Sequence, residues 1–146
     1  MDIAEFSLKI GVALLAGAII GLERQFQRKN AGLRTHSLVA VGSAIFVLIS
    51  TSLIDQQGGD PTRVIGQIIT GIGFLGAGVI IHQGVSIQGL TTAATIWCSA
   101  AIGSLAAPGM YVETAVCTAV VVAVNLVFRW VDEIIARKHN GEQQQN

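Results

Sequence analysis

The sequence predicts an all-α fold: a polytopic bundle of five transmembrane helices, N-terminus outside the cell and C-terminus in the cytoplasm. Three observations carry this expectation. From Val64 to Val112, 49 consecutive residues of a 146-residue chain contain no Asp, Glu, Lys or Arg. As one helix that run would be roughly 74 Å long at ~1.5 Å per residue, more than twice the ~30 Å hydrocarbon layer, so it crosses and returns. Apolar residues make up 51% of the chain and charged residues 12%, about half the ~25% usual in soluble domains. Finally, the apolar runs are broken by short polar, Gly or Pro segments rather than by soluble domains.

Backbone polar groups in lipid must be satisfied within the protein, so each run is read as a helix. The first spans about 6–22. Only Ile10–Leu22 is free of charge, and Lys9 must snorkel to the interface. An in-plane first helix would leave four spans. The second covers about 37–53. The long uncharged run divides at His82–Gly89, whose polar residues and two glycines read as a tight loop. That gives a third span over 64–81 and a fourth over 90–107. Pro108-Gly109 makes a turn, and the fifth span covers 110–128. Residues 1–128 are thus the transmembrane domain. Beyond it, Trp130, Val131, Ile134 and Ile135 form one stripe of a short amphipathic helix on the membrane surface, and 139–146 reads as a disordered tail.

Charge placement sets the orientation. Arg24, Arg28, Lys29 and Arg34 follow the first span, and Arg129, Arg137 and Lys138 follow the fifth, so seven of nine Lys/Arg residues share one side. The positive-inside rule makes that side cytoplasmic. With zero net charge there is no nucleic-acid footprint. No basic start or A-x-A site marks a cleavable leader. Cys98 and Cys117 lie in apolar runs, where thiols act as small hydrophobes; neither a disulfide nor a metal site is expected.

Small residues at four-residue spacing mark close helix approach in lipid: Ala13, Gly17 and Gly21; Gly73 and Ala77; Thr95, Ser99 and Gly103; Ala115, Ala119 and Ala123. The run Gly71-Ile72-Gly73-Phe74-Leu75-Gly76 matches G-x-G-x-x-G. That fingerprint works only between a strand and a helix, with an acidic residue about 20 positions on. Here it sits in a span, and the next acidic residue is Glu113. The dinucleotide reading fails.

No Asp or Glu falls deep in any span, whereas proton-coupled carriers and divalent-cation pores place carboxylates there. The polar set of the spans is Gln67, Thr70, Thr91, Thr92, Thr95, Ser99 and Asn125, with hydroxyls on the second span. These suit bonds between helices or back to their own helix better than a conduction path. There is no Walker A sequence and no nucleophile–base pair, so neither ATP-driven chemistry nor catalysis is indicated, and no cofactor is implied. Two charged clusters remain. GLERQ at 21–25 and GLRTHS at 32–37 place Glu23, Arg24, Arg34 and His36 at one membrane face, with Glu23 and Arg34 as a candidate ion pair. We treat Glu23, Arg34 and His36 as one coupled candidate site. At the other face Asp60 is a candidate N-cap, with Pro61 at the first helical position and Arg63 beyond it.

GLERQ at 21–25, AGLRTHSLVAVGS at 31–43, DPTRV at 60–64, ITGIGFLGAGVI at 69–80 and GLTTAATIWCSAAIG at 89–103 together resemble the MgtC/SapB family. The resemblance runs from about Leu8 to Phe128. It implies a multi-pass protein of the bacterial inner membrane with a five-helix transmembrane domain. It further implies links to magnesium limitation, to virulence inside macrophages and to restraint of the membrane ATP synthase. MgtC-type members carry a cytoplasmic ACT-like domain after the last span, and no such domain is expected here. Thr91 stands where MgtC proper has asparagine, while Cys98 occupies the matching cysteine position.

The leading expectation is a non-enzymatic membrane regulator that touches lipid and another membrane protein, such as the ATP synthase membrane sector, with homo-oligomers using the same helix faces. The rival is a small ion or solute channel, with Gly71, Gly73, Gly76 and Gly78 beside Gln67, Thr70 and Thr92 lining a narrow route. A lipid-binding scaffold is the third reading.

Overall fold

A computed structural model describes residues 1–57, 60, 62–84 and 86–143. It has five helices: α1 (Ile3–Phe26), α2 (Leu33–Gln57), α3 (Thr62–Val79), α4 (Leu90–Ala106) and α5 (Tyr111–Gln143). Two strands, β1 (Ile81–Gln83) and β2 (Ser86–Gln88), pair antiparallel between α3 and α4. The chain is otherwise an all-α bundle. Four helices, α1, α2, α3 and α5, are long and apolar enough to cross a membrane. With 17 residues, α4 is shorter, roughly 26 Å at ~1.5 Å per residue.

The helices overlap the expected spans, with informative differences. α1 starts at Ile3, where the Asp2 side chain caps it, and runs beyond Leu22 through GLERQ. α2 starts at Leu33 instead of residue 37, because the Gln25 side chain accepts the Leu33 amide and starts the helix early. α3 stops at Val79 instead of continuing to residue 81, since Ile81 belongs to the hairpin. Gly89 makes the return possible: it has φ +93°, and a side chain there would run into the Val79 carbonyl. The separate surface helix after the fifth span is replaced by one continuous α5 of 33 residues. No Gly or Pro interrupts the chain from Tyr111 to Asn140, and Arg129 bonds Glu133 one turn on at 2.7 Å. The tail expected to be disordered is therefore helical through Gln143, and 144–146 lie outside the described residues.

α4 is the hub: it packs on α1, α2, α3 and α5, whereas α2 and α3 meet only lightly. Ala13, Ala44, Val47, Leu48 and Ala106 join three helices at one level. Val39, Ile72, Ile96 and Ala100 join α2, α3 and α4 at another. Lipid offers no hydrophobic drive for this, so backbone proximity must supply the cohesion. Gly17 and Gly21 let α1 lie against the start of α2, and a Cβ on Gly17 would stand 2.6 Å from the His36 carbonyl oxygen. Gly103 of α4 lies against Ala40 of α2.

The expected small-residue faces fail on two helices. Gly73 has nothing within 4 Å of where its Cβ would be, and Gly76 would meet Ala93 only at an ordinary 3.7 Å. On α5 the alanines Ala115, Ala119 and Ala123 are exposed, and Thr114, Thr118 and Asn125 are buried instead. The threonines tolerate burial because each hydroxyl bonds back four residues, Thr114 to Met110 O and Thr118 to Thr114 O.

Candidate functional site

At one end of the bundle the sequence places two ionisable residues in succession, Glu23 and Arg24, on the last turns of α1. Successive helical residues point about 100° apart, yet both side chains are buried, Arg24 at 2% and Glu23 at 9% exposure. They pair with each other. Arg24 Nε donates to Glu23 Oε2 at 2.7 Å and Nη2 donates to Oε1 at 2.9 Å. This two-point clamp neutralises the guanidinium, while Nη1 is buried without a protein partner. The expected Glu23–Arg34 pair does not form: Arg34 is exposed on the first turn of α2. A residue next in sequence outcompetes one across the loop, because it needs no loop ordering.

His36 is fully buried, under the close approach of Gly17. Its Nδ1 lies 2.8 Å from Ser99 Oγ on α4. The Ser99 hydroxyl donates to Thr95 O at 3.0 Å, and Thr95 in turn donates to Thr91 O at 2.7 Å. The Ser99 hydroxyl thus bridges the His36 ring and the α4 main chain. His36 Nε2 is buried without a close hydrogen-bond partner, and the Ala31 main chain acts on the ring. The charges of Arg24 and Glu23 both act on the ring. Glu23, Arg24 and His36 thus do form one cluster. Arg24, not Arg34, is its cation, and Ser99 is the member that sequence spacing could not reveal, 63 residues away from His36.

The loop after α1 and the body of α5 meet at this end, in a surface depression lined by Arg28, Lys29, Arg129, Asp132 and Glu133. The two basic segments therefore share one side of the bundle.

At the start of α3, Asp60 caps the helix: its Oδ1 accepts from the Thr62 amide at 2.9 Å and from Thr62 Oγ1 at 2.7 Å. Pro61 lies outside the described residues. These two donors hold the Asp60 carboxyl below its ordinary value, with Arg63 acting in the same direction. A depressed folded value means the cap is at full strength above the unfolded carboxyl pKa of ~4 and is lost as pH falls through the lower folded value. Hydrogen exchange at the first turn of α3 is expected to accelerate only in strong acid, and Asp60→Asn is expected to remove that dependence while keeping the cap.

The remaining candidates scatter. Gln67 is exposed toward α2, Gly73 is exposed with open space around it, Gly76 is buried on Ala93, and Thr92 is buried within the bundle. Gly71 and Gln67 line a cleft whose lining does not include Gly73, Gly76 or Gly78. The hydroxyls of Thr70, Thr95, Ser99 and Ser104 bond back to their own helices. Thr91 is exposed and Cys98 half-buried on the outward side of α4, and both cysteines are free thiols. Among the described residues no group of His, Cys, Asp and Glu is arranged to hold a metal ion.

Residues 10–134 match the MgtC family. The chain is 53% identical over 117 residues to Protein MgtC of Brucella abortus, covering 80% of this chain and 48% of that protein. It is 44% identical over 124 residues to Protein MgtC of Salmonella typhimurium, covering 85% and 52%. Against an uncharacterized protein of Synechocystis the identity is 43% over 129 residues, covering 88% and 54%. The chain thus spans about half the length of the curated relatives it matches. No solved structure matches it. The family is a magnesium-linked one of non-catalytic regulators, multi-pass in the inner membrane, which agrees with the apolar helices found here. On the length of the match and the degree of identity, the chain belongs to the MgtC/SapB family.

Proposed function

We propose that this protein is a regulator that works by lateral contact with a transmembrane helix of another membrane protein, through the outward face of α4. All five helices cross the bilayer in this reading, including the short α4. The shared end of Arg28, Lys29 and Arg129 is cytoplasmic by the positive-inside rule.

One observation carries the proposal. Thr91, Ala94, Trp97 and Ala101 are all exposed on one stripe of α4, with Cys98 half-buried at its edge. This is the hub helix, whose other faces are covered. Ala93 beside Gly76 marks the α3 side, and Ile102 beside Cys117 and Val121 marks the α5 side. α3 and α5 are not a packed pair, so the stripe is the floor of a shallow groove between them. A helix lying there would approach α4 over Thr91, Ala94 and Ala101, small side chains of the kind that drive association in lipid, with Trp97 exposed beside them. Cys98, at the position matched by the family resemblance, lies at the edge of this stripe, and Thr91, where the chain departs from MgtC proper, lies on it. By that resemblance, the membrane sector of the ATP synthase is the partner and magnesium limitation the condition.

The test uses a deletion strain under magnesium starvation, with proton motive force and ATP level as readouts. Deletion is expected to shift both. Ala94→Trp fills the groove without entering the bundle, and it is expected to mimic the deletion at unchanged membrane abundance. If the deletion strain matched the parent in both readouts, the proposal would fail.

A further inference from the structure

α2 and α3 both pack on α4 but barely on each other, which leaves a cleft between them, on the opposite side of α3 from Gly73. It consists of two confluent cavities of about 520 and 510 Å³ that share Phe46, Val64 and Gln67. Gly42 and Gly71 line it, and neither has any atom within 4 Å of where a Cβ would stand, so the space is left open by missing side chains. Its mouth carries two opposite charges, Asp60 and Arg63. Arg63 is exposed and has no ion-pair partner among the described residues.

We propose that this cleft binds one phospholipid with a zwitterionic phosphoethanolamine headgroup, its phosphate on Arg63, its ammonium on Asp60 and one acyl chain along the cleft. This site is separate from the α4 groove and does not depend on it.

The sequence of α3 spells the ligand in order. Arg63, Gln67, Gly71 and Leu75 recur every four residues and all line the cleft. Going down that face they offer a cation at the mouth, an amide one turn below, then a gap, then hydrocarbon. A phospholipid presents the matching series of phosphate, ester carbonyls and alkyl chain. The dimensions agree. From Arg63 to Leu75 the helix rises ~18 Å at ~1.5 Å per residue, against ~15 Å for one leaflet of a ~30 Å core.

Charge selects the headgroup. A purely anionic headgroup would gain Arg63 but meet the Asp60 carboxylate beside it. A zwitterion satisfies both. Ordinary annular lipid, by contrast, would contact α3 on every exposed face alike.

The experiment is native mass spectrometry of the full chain in mild detergent, incubated with equimolar phosphatidylethanolamine and phosphatidylglycerol. Wild type is expected to retain a single phosphatidylethanolamine adduct, at least tenfold over phosphatidylglycerol. Gly71→Leu fills the open space and is expected to reduce that adduct at least tenfold with helicity unchanged. Gly73→Leu, on the other flank of the same helix, is expected to leave it intact. Asp60→Asn keeps the helix cap, and its preference should swing toward phosphatidylglycerol. Equal retention of both lipids by wild type, or equal loss in the Gly71 and Gly73 variants, would overturn the assignment. So would a dimer mass that Gly71→Leu abolishes, which would make the occupant a second copy.

Discussion

Replacing Gly103 with alanine is expected to remove most of the folded protein from the membrane, although the change adds one methyl group. In the bundle a Cβ at this position would collide with the carbonyl oxygen of Ala40 and lie 2.7 Å from the Ala40 carbonyl carbon and Cα. The obstacle is main chain in the middle of α2, so no rotamer change relieves it. α4 must withdraw from α2, and because α4 also packs on α1, α3 and α5, the withdrawal spreads. Overpacking a dense interior costs about 1–3 kcal/mol when side chains can yield. With backbone as the obstacle we expect at least ~3 kcal/mol, a large part of a total stability of ~5–15 kcal/mol. Gly17→Ala is expected to follow closely, since its Cβ would stand 2.6 Å from the His36 carbonyl oxygen and 2.9 Å from Ala40 Cβ. Gly73→Ala is the contrast: with open space around it, the better helix former gains up to ~1 kcal/mol. Thermal unfolding in detergent, with membrane abundance alongside, ranks the three. A Gly103→Ala protein as stable as the parent would mean that α2 and α4 do not meet at Ala40.

That contrast also shows what a sequence can tell about such a bundle. All seven of Gly17, Gly21, Gly71, Gly73, Gly76, Gly78 and Gly103 sit in apolar helices, and spacing alone treats Gly17 and Gly73 alike. Whether a glycine faces a neighbour or lipid depends on helix rotation. In a membrane bundle hydrophobicity does not report rotation, because lipid and core are equally apolar. For the same reason α5 turned its threonines inward and its alanines outward, against expectation. Helix number and order were legible, since backbone hydrogen bonding in lipid leaves few choices. The helix ends were less so. α2 begins early because of a side chain eight residues upstream, Gln25, and α5 continues because nothing between Tyr111 and Asn140 stops it. The charged cluster was legible as a cluster but not in its pairing, and Ser99 was out of reach of any local pattern.

Glu23→Gln should lower the amount and the unfolding temperature of the protein, and so should Arg24→Gln. Glu23 supplies both oxygens to the Arg24 guanidinium, which is buried and has no second ion-pair partner among the described residues. Neutralising either partner leaves a buried, uncompensated charge, a defect worth about 3–5 kcal/mol. Losing both charges together is a different case. Replacing a buried ion pair by apolar residues of similar volume is often neutral or stabilising, so Glu23→Met with Arg24→Met is expected to recover the abundance that each single variant loses. The recovery separates two roles that the single variants confuse. If the pair merely holds α1 against the start of α2, the double variant regains the magnesium-starvation phenotype together with its abundance. The geometry favours the other outcome, a stable but inactive double variant. Arg24 presents a spare N–H, sealed from solvent and left over after Glu23 is satisfied. A pair needed only as scaffold has no reason to keep a donor in reserve. An accompanying His36→Phe variant, which removes both ring nitrogens beside this pair, is then expected to be as inactive as the double variant at normal abundance.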